Sequence, residues 1–219
     1  MKKRLQVLSA KALLKSGYDP SKLIKAFVSV NQEVWGSLVS QDVIWNEEAV
    51  QSQFSICPQL QYCAILDGNV IGTVSTIYID YDDALQCKNW KQLSANRMFQ
   101  THNPDGDSLF GLDLSVLPKF QAKGVAGSII ETTIYETVVL QEKRGVFLGS
   151  RIPSFHKHSN TRTVEDHVFG KKRDGKTMDP EIRLYQREGF EALKIVPDYI
   201  EDPESLNYGV LMFWKNKEL

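Results

Sequence analysis

Cysteine is scarce: three residues in 219, at positions 57, 63 and 87. An odd count with no metal-like spacing excludes a disulfide-built scaffold and reads as reduced thiols in a cytoplasmic protein. A dominant charge is missing too. Lys and Arg number 26 against 27 Asp and Glu, for a formal net charge of -1. That balance leaves no footprint for a nucleic-acid partner. No apolar run approaches the length that spans a bilayer, so no membrane partner is expected. The basic N-terminus is interrupted by Gln6 and Lys11. This argues against a secretory signal and for a first strand near residues 4–10, where Leu5 and Val7, with Lys3, alternate. Repeats, low-complexity tracts and linkers are also missing, so residues 1–219 read as one domain.

What is present alternates between helical and strand patterns. Asp19-Pro20 caps and starts a helix that runs to about Trp35, with Leu23, Ile24, Phe27, Val30 and Val34 at helical spacing and Gly36 at its end. Asn46-Glu47-Glu48 opens a second toward Ile56, closed by Pro58. Gln61–Leu66 and Val70–Asp80 read as strands joined by Asp67-Gly68-Asn69, a hairpin signal. Tyr81–Pro104 holds Trp90 and Phe99 without a period and reads as a long loop with one helical turn. A strand follows over Leu109–Leu117, then a helix from Gly124 to Lys143 with an apolar stripe of Val125, Ile129, Ile130, Ile134 and Val138. Val146–Arg151 is a short strand. Asp179-Pro180 starts another helix that stops at Gly189, and Phe190–Val196 and Asn207–Trp214 are the last strands. This order predicts an α/β (α+β) fold: a mixed, mostly antiparallel central sheet with helices on both faces.

Two segments invite function. In Leu109–Gly127 a strand is broken by Pro118 and leads into a helix start at Gln121-Ala122-Lys123-Gly124-Val125-Ala126-Gly127. A helix N-terminus offers unsatisfied N–H groups and partial positive charge, and Gly124 and Gly127 let an anion approach the backbone. Gly124-Val125-Ala126-Gly127 completes neither Gly-x-Gly-x-x-Gly nor Gly-Lys-Ser/Thr, which counts against a dinucleotide or ATP site there. The second segment, Pro153–Asp179, carries with its edge seven basic residues (Arg151, Lys157, Arg162, Lys171, Lys172, Arg173, Lys176) against three acids (Glu165, Asp166, Asp174). It is either a solvated loop or a site for a coenzyme phosphate or an acidic substrate.

The strand Leu114-Ser115-Val116 followed by Gln121–Ala126, and the later Tyr185-Gln186-Arg187-Glu188-Gly189-Phe190, together resemble the two signatures of the GCN5-related N-acetyltransferases. The resemblance covers the element order from end to end. It implies an acyl-CoA N-acyltransferase fold and transfer of an acetyl group from acetyl-CoA to a primary amine of a small molecule or peptide, in a ternary complex. In the family the strand amides, here Leu114 and Val116, pair with the pantetheine arm. The amides of Gln121, Ala122, Lys123, Gly124, Val125, Ala126 and Gly127 would wrap the pyrophosphate. A free N–H at Leu114 would hold the thioester oxygen if a bulge splays the strand. Tyr185 matches the family's proton donor to the thiolate; its alternative is a packed aromatic on the inner face of a helix. The resemblance implies no metal and leaves the oligomer a monomer or homodimer.

The amine end is open. The glutamate that serves as base in the histone-acetylating branch falls at Phe110 here. Asp113 is one residue off that register, on the face opposite Leu112 and Leu114 by alternation, and reads as a strand acid satisfied by a neighbouring loop. Asp80, Asp82 and Asp83 could attract a cationic amine. Arg151 and His156 are further substrate candidates, and His156, His158 and His167 read equally as surface residues without zinc-site spacing. An acyl-CoA-binding module without turnover is the competing reading. A looser resemblance of the tail (Arg151…His156, Asp179-Pro180, Asp198-Tyr199…Asn207-Tyr208-Gly209-Val210) is to bacterial acetyltransferase-like domains, some fused to carbon–nitrogen hydrolases.

Overall fold

The computed structural model describes residues 5–172, 175 and 177–219. Lys3 and the expected start of the first strand, and Arg173, Asp174 and Lys176 of the basic segment, lie outside the described residues.

One sheet of seven strands has the order β1-β2-β3-β4-β5-β7-β6. The strands are β1 (Gln6–Ser9), β2 (Gln61–Leu66), β3 (Asn69–Ile79), β4 (Ser108–Val116), β5 (Gly145–Ser150), β6 (Glu191–Val196) and β7 (Gly209–Lys215). The helices are α1 (Ala10–Lys15), α2 (Pro20–Trp35), α3 (Glu47–Ile56), α4 (Tyr81–Leu85), α5 (Trp90–Leu93), α6 (Val125–Ile134), α7 (Val164–Phe169) and α8 (Pro180–Arg187). All neighbouring strands are antiparallel except β4 and β5, which α6 connects. None of the described helices is long and apolar enough to cross a membrane.

Local chemistry sets these elements as expected at the strongest signals. Asp67 and Gly68 take φ of 52° and 78°, the left-handed pair that a two-residue hairpin needs between β2 and β3. Asp19 and Asp179 cap α2 and α8, and Pro20 and Pro180 occupy the first helical positions.

Three expectations need correction. The helix expected over Gly124–Lys143 is regular only to Ile134, and Tyr135–Val139 is a π-turn. Tyr78 donates its hydroxyl to Thr137 O at 2.8 Å, taking a carbonyl that a regular helix would pair with residue 141. The long loop after β3 folds into α4 and α5 around buried aromatics. Trp90 stacks on Trp45 at 5.4 Å and Phe99 meets Trp45 edge-on at 5.9 Å. Ala95, Asn96, Arg97 and Phe99 all have positive φ, which is why no helical or strand period shows there. The basic segment contains α7 and a bridge between Lys171 and Thr177 rather than an unstructured loop.

Pairing with β3 fixes the faces of β4. Leu114 stands opposite Val74 and Val116 opposite Gly72, while Asp113 stands opposite Ser75 and Ser115 opposite Thr73. The ladder then slips, because Thr76 pairs with Gly111 and leaves Leu112 as an extra residue, a β-bulge. Asp113 faces away from Leu114 as alternation predicts, but the extra residue brings it onto the face of Phe110. That face is covered by α2. The other is covered by α6, where a Cβ on Gly72 would meet Ile129 at 3.0 Å.

Candidate active site

β4 pairs with β5 only over Leu109–Gly111, and past the bulge the two strands part. Leu117 N–H donates to Ile71 O of β3 at 3.0 Å. By alternation the amides of Leu114 and Val116 therefore point the other way, into the gap. Two gap-side carbonyls are taken: Leu112 O by Trp90 Nε1 at 2.8 Å and Val116 O by Gln121 Nε2 at 2.9 Å. Leu114 lies between them with its N–H and C=O turned to the gap, a ready edge for an extended chain carrying amides.

The gap opens into a cavity of about 1120 Å³. Its mouth is formed by Gln121, Ala122 and Gly124–Gly127. Ala122 at φ 56° and Gly124 at φ 80° turn the chain inward, and Gly124 N-caps α6 with no side-chain bond to the first turn. The amides there suit an anion. Lys123 is the exception in this segment: its side chain turns away, Nζ donating to Lys119 O at 2.7 Å.

At the inner end the walls are Trp35, Trp45, Trp90 and Tyr199, and the polar groups are Asp113, Arg151, Glu181 and Tyr185. Asp113 Oδ1 accepts from Trp35 Nε1 at 2.8 Å, Asn31 Nδ2 at 3.0 Å and Ser115 Oγ at 3.1 Å. Its Oδ2 has only the same Ser115 hydroxyl, at 3.0 Å. Burial pushes the Asp113 carboxyl up to about 7 against the pull of these three donors. No cation among the described residues pairs with it. Burial also pushes Glu181 up to about 7, opposed by Arg151. Tyr185 has no hydrogen-bond partner for its hydroxyl among the described residues. Its phenol lies far above the usual range through burial, then through the charges of Glu181 and Asp113, so it stays protonated.

Arg151 is buried in the same wall. Its Nε and Nη2 meet Asp202 at 2.7 and 2.9 Å, and Nη2 meets Glu204 at 3.0 Å. That leaves Nη1 as the nitrogen without a carboxylate partner. The loop before α8 is pinned by Asp179, which accepts from the Glu181 amide at 2.8 Å and the Ser154 hydroxyl at 2.7 Å, with His167 Nε2 at 3.3 Å. This pin sets where Glu181 and Tyr185 stand.

The cavity thus joins Leu114, Val116, Gln121, Ala122, Gly124–Gly127, Arg151 and Tyr185, with Lys123 of the same segment outside its lining. The other acceptor-site candidates lie elsewhere. Asp80, Asp82 and Asp83 are exposed, and Asp80 accepts from Asn103 Nδ2 at 2.9 Å. They follow Ile79, which pairs with Ser108 at the start of β4, whereas the gap opens at its other end. His156 Nδ1 is 2.9 Å from both Pro153 O and Glu204 O, a loop anchor outside the cavity. His158 stands beside the buried His167, with ring centroids 5.9 Å apart. Lys157, Arg162, Lys171 and Lys172 do not line the cavity either. Among the described residues no group of His, Cys, Asp and Glu could hold a metal.

Sequence reasoning passed over Asn31, Trp35, Trp45, Trp90, Glu181 and Tyr199. Asn31 and Trp35, four apart on α2, were the available signal: polar groups on a buried helical face. Asp113 is satisfied by these helix residues rather than by a loop. The letters Gly170–Thr177 also spell Gly-x-x-x-x-Gly-Lys-Thr. They follow α7 instead of a strand, and that phosphate loop requires a strand before it.

No family model matches the sequence. An uncharacterised N-acetyltransferase of Bacillus subtilis (strain 168), YkwB, is 30% identical over 197 residues, which is 88% of this chain and 84% of that protein. The probable hydrolase YhcX of the same organism is 27% identical over 173 residues, spanning 78% of this chain but 33% of its own length. Among solved structures, the loading GNATL domain of CurA from Lyngbya majuscula superimposes with a TM-score of 0.78 at 18% identity, covering 97% of this chain and 98% of that one. The GphF GNAT-like decarboxylase in complex with isobutyryl-CoA gives 0.77 at 18% identity, with the same coverage. At these identities the two structures share the fold.

Proposed function

Because the chain belongs to the GCN5-related N-acetyltransferase superfamily, we propose that it transfers an acetyl group from acetyl-CoA to a primary amine of a small molecule or peptide, by direct attack in a ternary complex. The observation that carries this reading is one cavity lined by Gln121, Ala122 and Gly124–Gly127 at its mouth, by Leu114 along the gap, and by Tyr185. In it the amides at the start of α6 bind the pyrophosphate. Leu114 and Val116 pair with the pantetheine arm where β5 has left β4. The Leu114 N–H takes up the negative charge that develops on the thioester oxygen. Tyr185 gives its proton to the departing thiolate. No step needs a metal.

The lining bears on the type of reaction. A donor that loses carbon dioxide would bring a free carboxylate against Asp113 and Glu181, while the Arg151 fork is already held by Asp202 and Glu204. An amine acceptor suits these charges better.

The test is thiol release from acetyl-CoA over a panel of primary amines, with Tyr185→Phe alongside. The expected result is turnover that falls about 10²–10⁴-fold in the variant while calorimetric coenzyme affinity holds. Wild-type protein that binds coenzyme and releases no thiol with any amine would replace this reading with a binding module.

A further inference from the structure

We propose that Asp113 is the proton acceptor at the amine end, and that the acceptor is a cationic primary amine on an apolar body, its ammonium docked on Asp113 Oδ2 and its body against the tryptophan wall. This rests on the transferase reading and deepens it.

Three observations meet at this carboxyl. It lines the cavity beside Leu114 and Tyr185. Its two oxygens are treated unequally: Oδ1 is held by the indole of Trp35, the amide of Asn31 and Ser115, while Oδ2 shares only the Ser115 hydroxyl. A hydroxyl has one proton, so when Ser115 donates to Oδ1 the other oxygen has no donor at all. Finally, a desolvated carboxylate that no cation among the described residues pairs with is costly to leave so, Arg151 standing 5.4 Å from the Trp35 ring centroid but held by Asp202 and Glu204, and a substrate ammonium offsets that cost. Trp45, Trp90 and Tyr199 complete an apolar wall on which an alkyl or aryl body fits.

The proton balance is simple. The ammonium gives one proton to Asp113 Oδ2, which later passes it to solvent. The neutral nitrogen bonds to the carbonyl carbon and the C–S bond breaks. The thiolate takes a proton from Tyr185, which is restored by the second proton leaving the nitrogen. The products are the amide, the free thiol and one proton.

A carboxyl pushed up to about 7 by burial is matched to this task, since it is divided between its two forms near neutral pH and basic enough to accept. The other titratable or charged groups lining the cavity are Arg151, Glu181, Tyr185, Arg187, Glu188 and Tyr199. The α2 and β3 elements packed on Asp113 present Asn31, Trp35 and Ser75, none of which titrates.

The experiment compares wild type, Asp113→Asn, Trp35→Phe and Glu181→Gln across pH 5.5–9. It uses acetyl-CoA with 2-phenylethylamine, and binding of that amine against uncharged 2-phenylethanol. Asparagine keeps the acceptor for Asn31 and Trp35, and thermal melts check that each variant folds. Wild-type kcat/KM should fall below about pH 7, because protonated Asp113 accepts nothing. In Asp113→Asn that limb should vanish, kcat/KM should drop by about 100-fold or more, and the preference for the cation over the alcohol should be lost. Trp35→Phe removes a bond that favours the carboxylate, so its limb should move to higher pH, which a purely structural tie would not cause. A limb that survives in Asp113→Asn and vanishes in Glu181→Gln would overturn the proposal. So would amine binding indifferent to Asp113, or no amine binding at all. Asp113-dependent amine binding without thiol release would uphold the ammonium site and overturn acetyl transfer. Thiol release unchanged in Asp113→Asn would uphold transfer and overturn the site.

Discussion

Replacing Asp202 by alanine strands the guanidinium of Arg151. The arginine side chain is 10% exposed and the carboxylate 0%. They meet through two parallel bonds at 2.7 and 2.9 Å, and Asp202 also accepts from the Ser205 hydroxyl and the Glu204 amide. After the substitution the charge is answered by Glu204, at 3.0 Å and with 44% of its own side chain in water, and at longer range by Glu181. Truncating one member of a buried pair costs about 3–5 kcal/mol because the other charge stays desolvated. Glu204 retains part of that, so we expect a loss of about 3 kcal/mol. In a chain of this length that corresponds to a Tm lower by about 6–12 °C. Urea unfolding followed by tryptophan fluorescence at pH 7 measures it. Arg151→Met with Asp202→Leu, which removes both charges, should recover most of the loss. The pH dependence has a definite sign. Burial raises the Asp202 carboxyl, but the Arg151 and Ser205 bonds outweigh burial and hold it below the usual range. Its contribution is therefore complete above the unfolded value of about 3.9 and is lost as pH falls through the lower folded value. The gap between wild type and Asp202→Ala should close only in strong acid. A loss under about 1 kcal/mol at pH 7, or a double variant no more stable than the single one, would refute the argument.

Two further outcomes are expected. A Cβ at Gly149 would stand 2.0 Å from the Tyr199 hydroxyl and 2.1 Å from Cζ, and Gly209 confines the same ring at 2.5 Å. Gly149→Ala should thus destabilise by about 1–3 kcal/mol, and adding Tyr199→Leu should relieve it in thermal melts; an unchanged Tm in the single variant contradicts this packing. Cys57, Cys63 and Cys87 are buried, with thiols pushed by burial up to about 12, 12 and 11. Ellman's reagent at pH 8 should find almost no reactive thiol in folded protein and all three in denaturant, whereas fast labelling of any one in the folded state would count against its placement.

Where a single residue type enforces its backbone, the chain was readable in advance. Asp67-Gly68 could hardly be anything but a tight turn, and Asp19-Pro20 and Asp179-Pro180 begin helices through capping oxygens that act locally. The geometry of the proposed coenzyme mouth was legible for the same reason, because Gly124 at a helix start is a local feature. The amine end was not. Nothing in composition marks Leu112 as surplus, so alternation could not say which part of the sheet Asp113 would share with Phe110. Nor does local sequence reveal that Asn31 and Trp35, some eighty positions away, would hold it. The segment 81–104 hid its order because residues in left-handed conformation erase any period. Asp80 and Asp82 lie away from the cavity through topology: they sit at the closed end of a strand pair whose other end opens.

The surplus residue at Leu112 makes the pocket a matter of parity. If Asp113–Val116 slid by one place along β3, Asp113 would trade faces with Leu114, and the amide of Leu114 would turn from the gap into the ladder. Both ends of the pocket would fail together, with no intermediate arrangement in which one survives. The indole of Trp90, whose ring also stands in the cavity wall, guards against this by holding the Leu112 carbonyl. One wall residue thus acts as a latch on register as well.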